Sequence, residues 1–356
     1  MSGAIDAAGS VRKGEELPIE QRDHYIAQHG IDFSKITQVK QFPGGFSNLT
    51  YLLSDGHREL VLRMPPRGAN IKSAHDMGRE YKVLSLLAPV YSNIPKPISY
   101  CEEANIIGAP FYMMERVSGI ILRNKIPKGY ELNQDHFKTL STKTVDNLVE
   151  LHSLELEESN LISLGKPEGY LNRQVEGWIK RYFKAETDSI SMMNAASEWL
   201  ASNRPDIQRT AFIHNDYKYD NLVLDPQTLS IKAVLDWEMA TVGDPLMDLG
   251  TSLAYWVEAS DHDALKAYNL TWIEGNLTRQ EVVEHYENAT GIQPEQVVFY
   301  YVFGCFKLGV IAQQIYARYK QGYTTDPRFA MLIHLVKACG ANAMNAIKFN
   351  RINNFN

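Results

Sequence analysis

Polar side chains between residues 214 and 236 have the types and the spacing that a phosphoryl-transfer site needs. Transfer of a γ-phosphoryl group requires a carboxylate that orients the acceptor hydroxyl and accepts its proton, together with oxygen ligands for magnesium. Asp216 and Asn221 lie five positions apart, in the pattern H-x-D-x-x-x-x-N, so one tight loop can present a base and a neutral Mg²⁺ ligand. Asp236 follows the apolar run IKAVL, which predicts a buried strand that delivers a second Mg²⁺ ligand at its end. A small-molecule kinase is therefore the leading hypothesis.

The neighbours of this base have predicted supporting roles. Lys218 follows it by two residues and is expected to neutralise charge on the γ-phosphate during transfer. His214 is interpreted as a structural support for the loop and not as a proton carrier. In the stretch WEMATVGDPLMDL, Glu238 is a weaker candidate for a metal ligand, and Asp244 and Asp248 are expected to brace the loop or to cap the next helix.

The composition is that of a soluble globular protein with more than one compact part. The chain has 356 residues, of which 44% are apolar and 22% charged, and this length exceeds one ordinary domain. The net charge of −6, without a basic run, argues against a nucleic-acid surface. Three scattered cysteines predict reduced thiols, and the N-terminal sequence lacks the apolar stretch of a secretory signal. We therefore expect a cytoplasmic protein without a membrane segment, whose oligomeric state the sequence does not indicate.

Hydrophobic periodicity divides the chain into a part rich in strands and a part rich in helices. Alternating patterns over 36–64, interrupted by two glycine-containing turns, predict an antiparallel meander. Helical spacing follows over 75–87, and beyond Gly119 amphipathic patterns predict mainly helices. The most apolar window, from Val297, is interrupted by Lys307 and predicts a buried helix and not a membrane span.

The segment around the predicted base also carries a family resemblance. The sequences HNDYKYDNLVLDP and VLDWEMATVGDPLMDLG resemble the aminoglycoside phosphotransferase and choline kinase superfamily, and especially the kinase-like domains fused to some acyl-CoA dehydrogenases and their stand-alone bacterial relatives. The resemblance implies an α+β, bilobal protein-kinase-like fold, with an antiparallel-sheet N-lobe that has one long helix and a mainly helical C-lobe. It implies an N-terminal extension at 1–30, a nucleotide-binding N-lobe at 31–117, and a C-lobe at 118–356 with the catalytic loop and the acceptor site.

The resemblance further implies a phosphate site in the N-lobe. The sequence GGFSNLTYLL is similar to the family's shortened phosphate loop, in which Ser47, Asn48 and backbone N–H groups approach the phosphates. Arg63 stands where protein kinases have lysine. Its guanidinium can pair with phosphate oxygens and with Glu80 of the following helix, as the lysine of active kinases pairs with a glutamate.

The adenine contacts and the cofactors are implied in the same way. The sequence FYMMERVSG resembles the hinge strand of the family, so backbone groups of Glu115 and Val117 are expected to meet adenine. ATP and Mg²⁺ are the implied cofactors. The choice between ATP and GTP leaves no signature in these residues.

The acceptor is expected to be a small molecule with a hydroxyl group that binds in the C-lobe. Candidate contacts on two predicted helices are Trp178, Arg181, Tyr182, Tyr255, Trp256 and Glu258. An aromatic stripe at helical spacing is more often core than ligand site, so these residues stay outside the catalytic set. Near Tyr255 only Glu258, Asp261 and Asp263 could meet a cationic aminoglycoside, which favours a small hydroxylated metabolite, such as a hydroxyacyl compound, over an antibiotic.

Two other functions are compatible with parts of the pattern. The same fold could be a nucleotide-binding module without catalysis, although a decayed site would be expected to have lost one of its three acidic and amide residues. Alternatively, His214, Asp216 and Asp236 could be ligands of a metal-dependent phosphohydrolase. Such a site usually needs several histidines, and no second H-x-D occurs in the chain.

Overall fold

A computed structural model describes the chain at residues 8–33, 35–43, 48–66, 76–206, 209–293, 296–324 and 326–355. The chain forms two compact units. Unit 1 contains Met1–Ile121, Pro127–Gly129 and Leu222–Glu238, and unit 2 contains Leu122–Ile126, Tyr130–Asn221 and Met239–Asn356. Helices and strands are numbered in chain order.

Unit 1 is built on a five-stranded antiparallel sheet in the order β1-β2-β3-β5-β4. Its strands are β1 Gln38–Gln41, β2 Leu49–Ser54, β3 Glu59–Met64, β4 Pro97–Cys101 and β5 Phe111–Glu115, and its helices are α1 Ile19–Gln28, α2 Met77–Leu87 and α3 Ala104–Ile107. Strands β2 and β3 form a hairpin whose turn is capped by Asp55, which accepts hydrogen bonds from the backbone N–H groups of His57 and Arg58. The alternating pattern thus gives the predicted meander.

The side chains of β3 alternate between the two faces of the sheet. Leu62 and Met64 lie in a core cluster with Tyr25 of α1. Arg63 lies on the opposite face, because successive residues of a strand point to opposite sides, and it contacts Glu80 of α2 there. Helices α1 and α2 therefore pack on opposite faces of the sheet.

A short hairpin from later in the sequence completes unit 1. Its strands are β7 Leu222–Leu224 and β8 Ile231–Val234, which pair antiparallel. Leu224 exchanges two backbone hydrogen bonds with Ile120, and the backbone N–H of Val234 donates to Asn93 O at 2.7 Å. These bonds explain why residues 222–238, which the predicted division assigns to the second part, belong to unit 1 and bring Asp236 with them.

Unit 2 is mainly helical and has one small sheet. Its strands are β6 Ala211–Ile213 and β9 Thr241–Gly243, and its helices are α4 Gln134–His152, α5 Tyr170–Ala185, α6 Ser191–Ser202, α7 Pro245–Tyr255, α8 Asp263–Lys266, α9 Arg279–Thr290, α10 Val297–Lys320 and α11 Leu332–Phe349. The two strands pair antiparallel, with Phe212 opposite Val242. As the sequence predicts, Asp244 caps α7: its side chain accepts a hydrogen bond from Leu246 N at 2.9 Å.

Helix α10 is the central core helix of unit 2, where it packs on α5, α6, α7 and α11. Helices α7 and α10 approach closely at Gly250 and Gly304, since a Cβ added to Gly304 would overlap the carbonyl of Gly250. By length and composition alone, α10 and the segment Pro327–Phe349 could cross a membrane, but 78% and 50% of their most apolar windows are buried inside the protein. The burial of α10 agrees with the helix predicted from Val297.

Candidate active site

Three of the predicted side chains meet in the loop that follows β6. The Asp216 carboxylate accepts hydrogen bonds from Lys218 Nζ, at 3.0 Å on Oδ1 and 2.8 Å on Oδ2. Asn221 Nδ2 donates to the same Oδ2 at 3.0 Å and to the backbone carbonyl of Asp216 at 2.8 Å. The nitrogen of the Asn221 amide therefore faces Asp216, while its oxygen, the atom that a hard cation binds, points elsewhere.

The charges in this loop support one another. Burial alone would raise the pKa of Asp216, but the Lys218 ammonium and a hydrogen bond with the Tyr255 side chain outweigh it and hold the pKa below its ordinary value. Burial would lower the pKa of Lys218, but Asp216 raises it instead. The Lys218 ammonium lies 4.5 Å from the centroid of the Tyr255 ring, a cation–π distance. At neutral pH the loop thus presents a carboxylate paired with an ammonium.

A buried carboxylate in α7 fixes the backbone before Asp216. Asp248 is fully buried and accepts hydrogen bonds from His214 N at 2.7 Å and from Asn215 N at 2.8 Å. Burial alone would raise its pKa, but bonds from His152 and from the His214 N–H outweigh this effect and lower it. Asn215 has a φ of +68°, a left-handed conformation that needs such support in a residue other than glycine. Asp248 is therefore the brace that the sequence predicts.

His214 is held inside the protein by contacts with its own loop. It is fully buried, and its Nδ1 accepts a hydrogen bond from the backbone N–H of Asp216 at 3.2 Å. Its ring packs edge-on against Tyr217, with centroids 6.0 Å apart. The Nδ1 atom of this imidazole is thus engaged by the backbone of its own loop. Across the described residues, no group of three or more His, Cys, Asp and Glu side chains is arranged as a metal site.

The nucleotide-site residues predicted in unit 1 converge on Arg63. Its Nη1 lies 2.5 Å from Glu80 Oε1, and its Nη2 lies 3.3 Å from Asp236 Oδ1. Glu80 is 1% exposed, whereas the Asp236 side chain is 36% exposed. Both terminal nitrogens of Arg63 therefore contact carboxylates, and Asp236 is the member of this cluster that is open to a cation.

Burial and neighbouring charges shift the pKa values of the groups in this cluster. Burial raises the pKa of Glu80, and the nearby Asp236 adds to this effect, although Arg63 opposes it. Burial would lower the pKa of Arg63, but Glu80 and the neighbouring acidic groups raise it far above its ordinary value. Asp236 itself has a φ of +68°. Backbone strain and crowded carboxylates are common features of functional sites.

The predicted phosphate loop is only partly described. Ser47 lies outside the described residues. Asn48 is buried, and its Nδ2 donates to Glu238 Oε2 at 3.2 Å. This contact links the end of the predicted phosphate loop to the segment that carries Asp236. Glu238 is thus an acceptor of a hydrogen bond within unit 1.

The predicted adenine contacts lie at the end of β5. The backbone N–H of Glu115 donates to Lys96 O at 2.9 Å, so an adenine contact at Glu115 would have to use its carbonyl. Val117 packs against an apolar cluster formed by Ile121, Val223 and Ala233. An apolar cluster of this kind suits the flat face of a base.

The acceptor candidates separate into core residues and one residue at the catalytic loop. Trp178, Tyr182 and Trp256 are buried in unit 2, as expected for an aromatic stripe. Arg181 is exposed, and its guanidinium lies 4.7 Å from the centroid of the Trp178 ring. Tyr255 contacts the Lys218 ammonium and the Asp216 carboxylate.

The acidic residues near Tyr255 do not form an open surface. Arg279 is 1% exposed and forms ion pairs with Glu258 at 3.0 Å and with Asp261 at 2.6 Å. Asp263 is exposed and lies 3.3 Å from Lys266. Glu258 and Asp261 thus share one buried arginine, which leaves neither carboxylate as an open partner for a cationic antibiotic.

Comparison with known proteins identifies the family. The model of the family described as "Phosphotransferase enzyme family" matches residues 38–282. The chain belongs to this phosphotransferase family. Mouse acyl-CoA dehydrogenase family member 10 is 35% identical over 327 residues, which cover 89% of this chain and 30% of the mouse protein. The chain thus spans less than a third of that relative's length.

Solved structures agree with this family and fold. A Ralstonia eutropha protein assigned to the aminoglycoside phosphotransferases is 28% identical, with a TM-score of 0.75 over 91% of this chain and 96% of that chain. Choline kinase from Cryptosporidium parvum is 14% identical, with a TM-score of 0.64 over 94% and 97%, and this likeness concerns the fold alone. The predicted resemblance and the α+β kinase-like fold are confirmed.

Several residues around the loop that carries Asp216 are absent from the predicted catalytic set. Asn215 adopts its left-handed conformation between two predicted residues, and its side chain hydrogen-bonds Tyr170. Lys307 of α10 reaches the Asn215 carbonyl, and Tyr255, which the sequence predicts only as an acceptor contact, contacts Asp216. The signal available for Lys307 was a charged residue inside an otherwise apolar helix.

Arg63→Met is expected to lower the free energy of unfolding by about 3–5 kcal/mol, because it leaves the buried Glu80 carboxylate without its cation. The double variant Arg63→Met with Glu80→Gln should recover most of this loss, since it removes both charges. Urea unfolding of both proteins measures the difference. A double variant no more stable than the single one would contradict the pairing.

Proposed function

We propose that this phosphotransferase-family protein transfers the γ-phosphoryl group of ATP to a hydroxyl group of a small metabolite. The observation that carries the proposal is the Asp216 carboxylate, held by Lys218 and Asn221 in one loop. Such a carboxylate can accept a hydrogen bond from an acceptor hydroxyl and take its proton as the new bond forms. Its lowered pKa keeps it ionised and ready to accept at neutral pH.

Lys218 and Tyr255 would support this step without moving protons. The Lys218 ammonium, whose pKa is raised, stays charged and can offset the negative charge of the transferring group. Tyr255 contacts both Lys218 and Asp216, so it would limit their rotation and line the acceptor side of the base. Positioning and charge stabilisation supply most of the catalysis in phosphoryl transfer.

The donor atoms in each unit, taken separately, have the chemistry that a magnesium nucleotide needs. Asn221 offers an amide oxygen, and Asp236 offers a carboxylate that is 36% exposed, the hard oxygen ligands that Mg²⁺ prefers. Bound Mg²⁺ would neutralise the charge of the triphosphate. The Arg63 side chain is 12% exposed, and its planar guanidinium is a cation that could pair with a phosphate oxygen as well as with Glu80 and Asp236.

The engaged acidic residues favour an acceptor other than a polycationic antibiotic. Arg279 engages Glu258 and Asp261, and Lys218 pairs with Asp216, so none of these three carboxylates is without a cationic partner. The relative named acyl-CoA dehydrogenase family member 10 suggests that the acceptor is connected with acyl compounds. We therefore propose a hydroxylated acyl compound or a similar small alcohol as the phosphate acceptor.

A paired-substrate assay tests the proposal. The purified protein with ATP and Mg²⁺ is expected to phosphorylate hydroxyacyl thioesters, and to leave the same thioesters without the hydroxyl unmodified, because the reaction needs an oxygen nucleophile. Mass spectrometry detects the phosphorylated product. Kanamycin serves as the cationic comparison, and GTP as the alternative donor. Preferred phosphorylation of kanamycin would overturn the acceptor class, and ATP turnover that is independent of every hydroxyl compound would overturn the transferase function.

A further inference from the structure

A single buried lysine lies behind the catalytic loop of unit 2. Lys307, in the middle of α10, is 1% exposed although its neighbours in the helix are almost all apolar. Within the described part of the chain it forms no ion pair with a carboxylate. Burying an ammonium is costly unless strong hydrogen bonds compensate it, so its contacts indicate what the charge is used for.

The ammonium holds one end of the peptide bond that joins Asn215 to Asp216. Lys307 Nζ donates to the Asn215 carbonyl at 2.7 Å and lies 3.5 Å from Asn215 Oδ1. The N–H of the same peptide bond belongs to Asp216 and donates to His214 Nδ1 at 3.2 Å. Both polar groups of this peptide are therefore fixed, one by a cation and one by a buried imidazole.

Further hydrogen bonds fix Asn215, the residue before Asp216, at its backbone N–H and at its side chain. Asn215 N donates to Asp248 at 2.8 Å, and Asn215 Nδ2 donates to Tyr170 Oη at 3.0 Å and to Met239 O at 3.1 Å. Asn215 has a φ of +68°, so the backbone would be expected to relax if one of these contacts were lost. The Lys307 bond is the charged donor among them, and charge-assisted hydrogen bonds are about twice as strong as neutral ones.

We propose that Lys307 is a positioning residue, which fixes the peptide between Asn215 and Asp216 and thereby orients the Asp216 carboxylate towards the acceptor hydroxyl. The inference rests on the proposed function of Asp216 as the base. Lys307 acts through the backbone and touches neither nucleotide nor acceptor in this scheme. Its loss should therefore lower turnover without changing nucleotide binding.

Burial and the surrounding charges make the hydrogen bond from Lys307 to the Asn215 carbonyl sensitive to pH. Burial lowers the pKa of Lys307 to about 8, with Lys218 and Arg181 acting in the same direction and Asp248 and Asp216 opposing them. Below this value the ammonium holds the Asn215 carbonyl, and above it the amine is neutral and the hydrogen bond weakens. Turnover should decline as the pH rises through about 8.

The same titration of Lys307 should raise the free energy of unfolding with pH, whereas it lowers turnover. Lys307 has a pKa of about 8 in the folded protein and its ordinary pKa of 10.5 in the unfolded chain. Between these two pH values, the unfolded chain therefore binds one proton that the folded protein has released. The contribution of Lys307 to the free energy of unfolding therefore rises with pH across this window. Lys307→Met should remove this rise.

The test compares Lys307→Met with Lys320→Met, the same substitution at an exposed position of the same helix. For Lys307→Met we expect kcat to fall about 100-fold, the cost of a misplaced catalytic group, with the dissociation constant of Mg·ATP unchanged. Its alkaline decline in kcat should also disappear. The control variant should keep the wild-type kcat and pH profile. A Lys307→Met protein with wild-type kcat and pH profile would overturn the inference.

A readout that does not depend on activity separates this inference from the proposed function. Hydrogen exchange of the peptide covering 213–221 should be faster in Lys307→Met, and unchanged in Lys320→Met. If no acceptor is ever phosphorylated but exchange increases in this way, the transferase proposal fails while Lys307 still positions the loop. Unchanged exchange would overturn the Lys307 inference whatever the activity. If Lys307→Met does not fold, Lys307→Arg replaces it, because arginine keeps the positive charge. The Arg variant is expected to fold and to show exchange at 213–221 as slow as in the wild type. Fast exchange of this segment in a folded Arg variant would contradict the inference.

Discussion

Replacing Asp216 by asparagine is expected to lower kcat for phosphoryl transfer by about 10²- to 10⁴-fold, the range that one general base contributes. The amide keeps the size of the carboxylate but loses its charge and presents an NH₂ group to the donors Lys218 and Asn221. The dissociation constant of Mg·ATP should change little, because the predicted phosphate contact Arg63 and the predicted Mg²⁺ ligand Asp236 are in unit 1, and the Asn221 amide faces Asp216 with its nitrogen and not with its ligand oxygen. Steady-state kinetics and calorimetric nucleotide titration measure the two quantities separately.

Asp263→Asn is the matched control for this variant. It makes the same chemical change in unit 2, at a side chain that is 94% exposed and lies 3.3 Å from Lys266. Its kcat should equal that of the wild type. An Asp216→Asn protein with near wild-type turnover would show that the base is assigned wrongly. Equal and negligible turnover in the wild type and the variant, with every acceptor, would favour a nucleotide-binding module.

The catalytic loop was predictable because its parts are close in sequence. Asp216, Lys218 and Asn221 lie within six residues, so their spacing alone brings them together once the loop is tight. The contact between Arg63 and Glu80 was also within reach, because the resemblance to kinases implies it and the two residues, on strand β3 and helix α2, are 17 positions apart. In each case a short stretch of chain fixes the geometry.

The supports of the loop were not predictable, because they come from distant helices. Lys307 contacts Asn215 across 92 residues, and Asp248 binds the same residue from another helix. No local pattern encodes either contact or the positive φ of Asn215. The same limit applies to the acidic residues near Tyr255: Glu258 and Asp261 look available in the sequence, and only the folded structure shows that Arg279 pairs with both.

Asp236→Asn is expected to weaken the binding of Mg·ATP and to abolish transfer. Even a residue that only orients a metal ligand typically costs about 10- to 100-fold in metal affinity, so loss of a direct ligand should cost at least as much. Asparagine is a better choice than alanine here, because Asp236 has a φ of +68° and asparagine tolerates this conformation. Titration of the variant with ATP, with and without Mg²⁺, measures the effect.

This loss of function should occur without a comparable loss of stability. The ion pair between Asp236 and Arg63 has a distance of 3.3 Å and a carboxylate that is 36% exposed, so solvent screening limits its contribution to about 1 kcal/mol or less. Removing the Asp236 charge also relieves its repulsion of Glu80, whose pKa is raised by burial and further by Asp236. Asp32→Asn, at a side chain of unit 1 that is 99% exposed, is the control and should bind Mg·ATP as the wild type does. Wild-type Mg·ATP affinity in Asp236→Asn would remove this residue from the metal site, and a large loss of stability would mean that the carboxylate is there to hold Arg63.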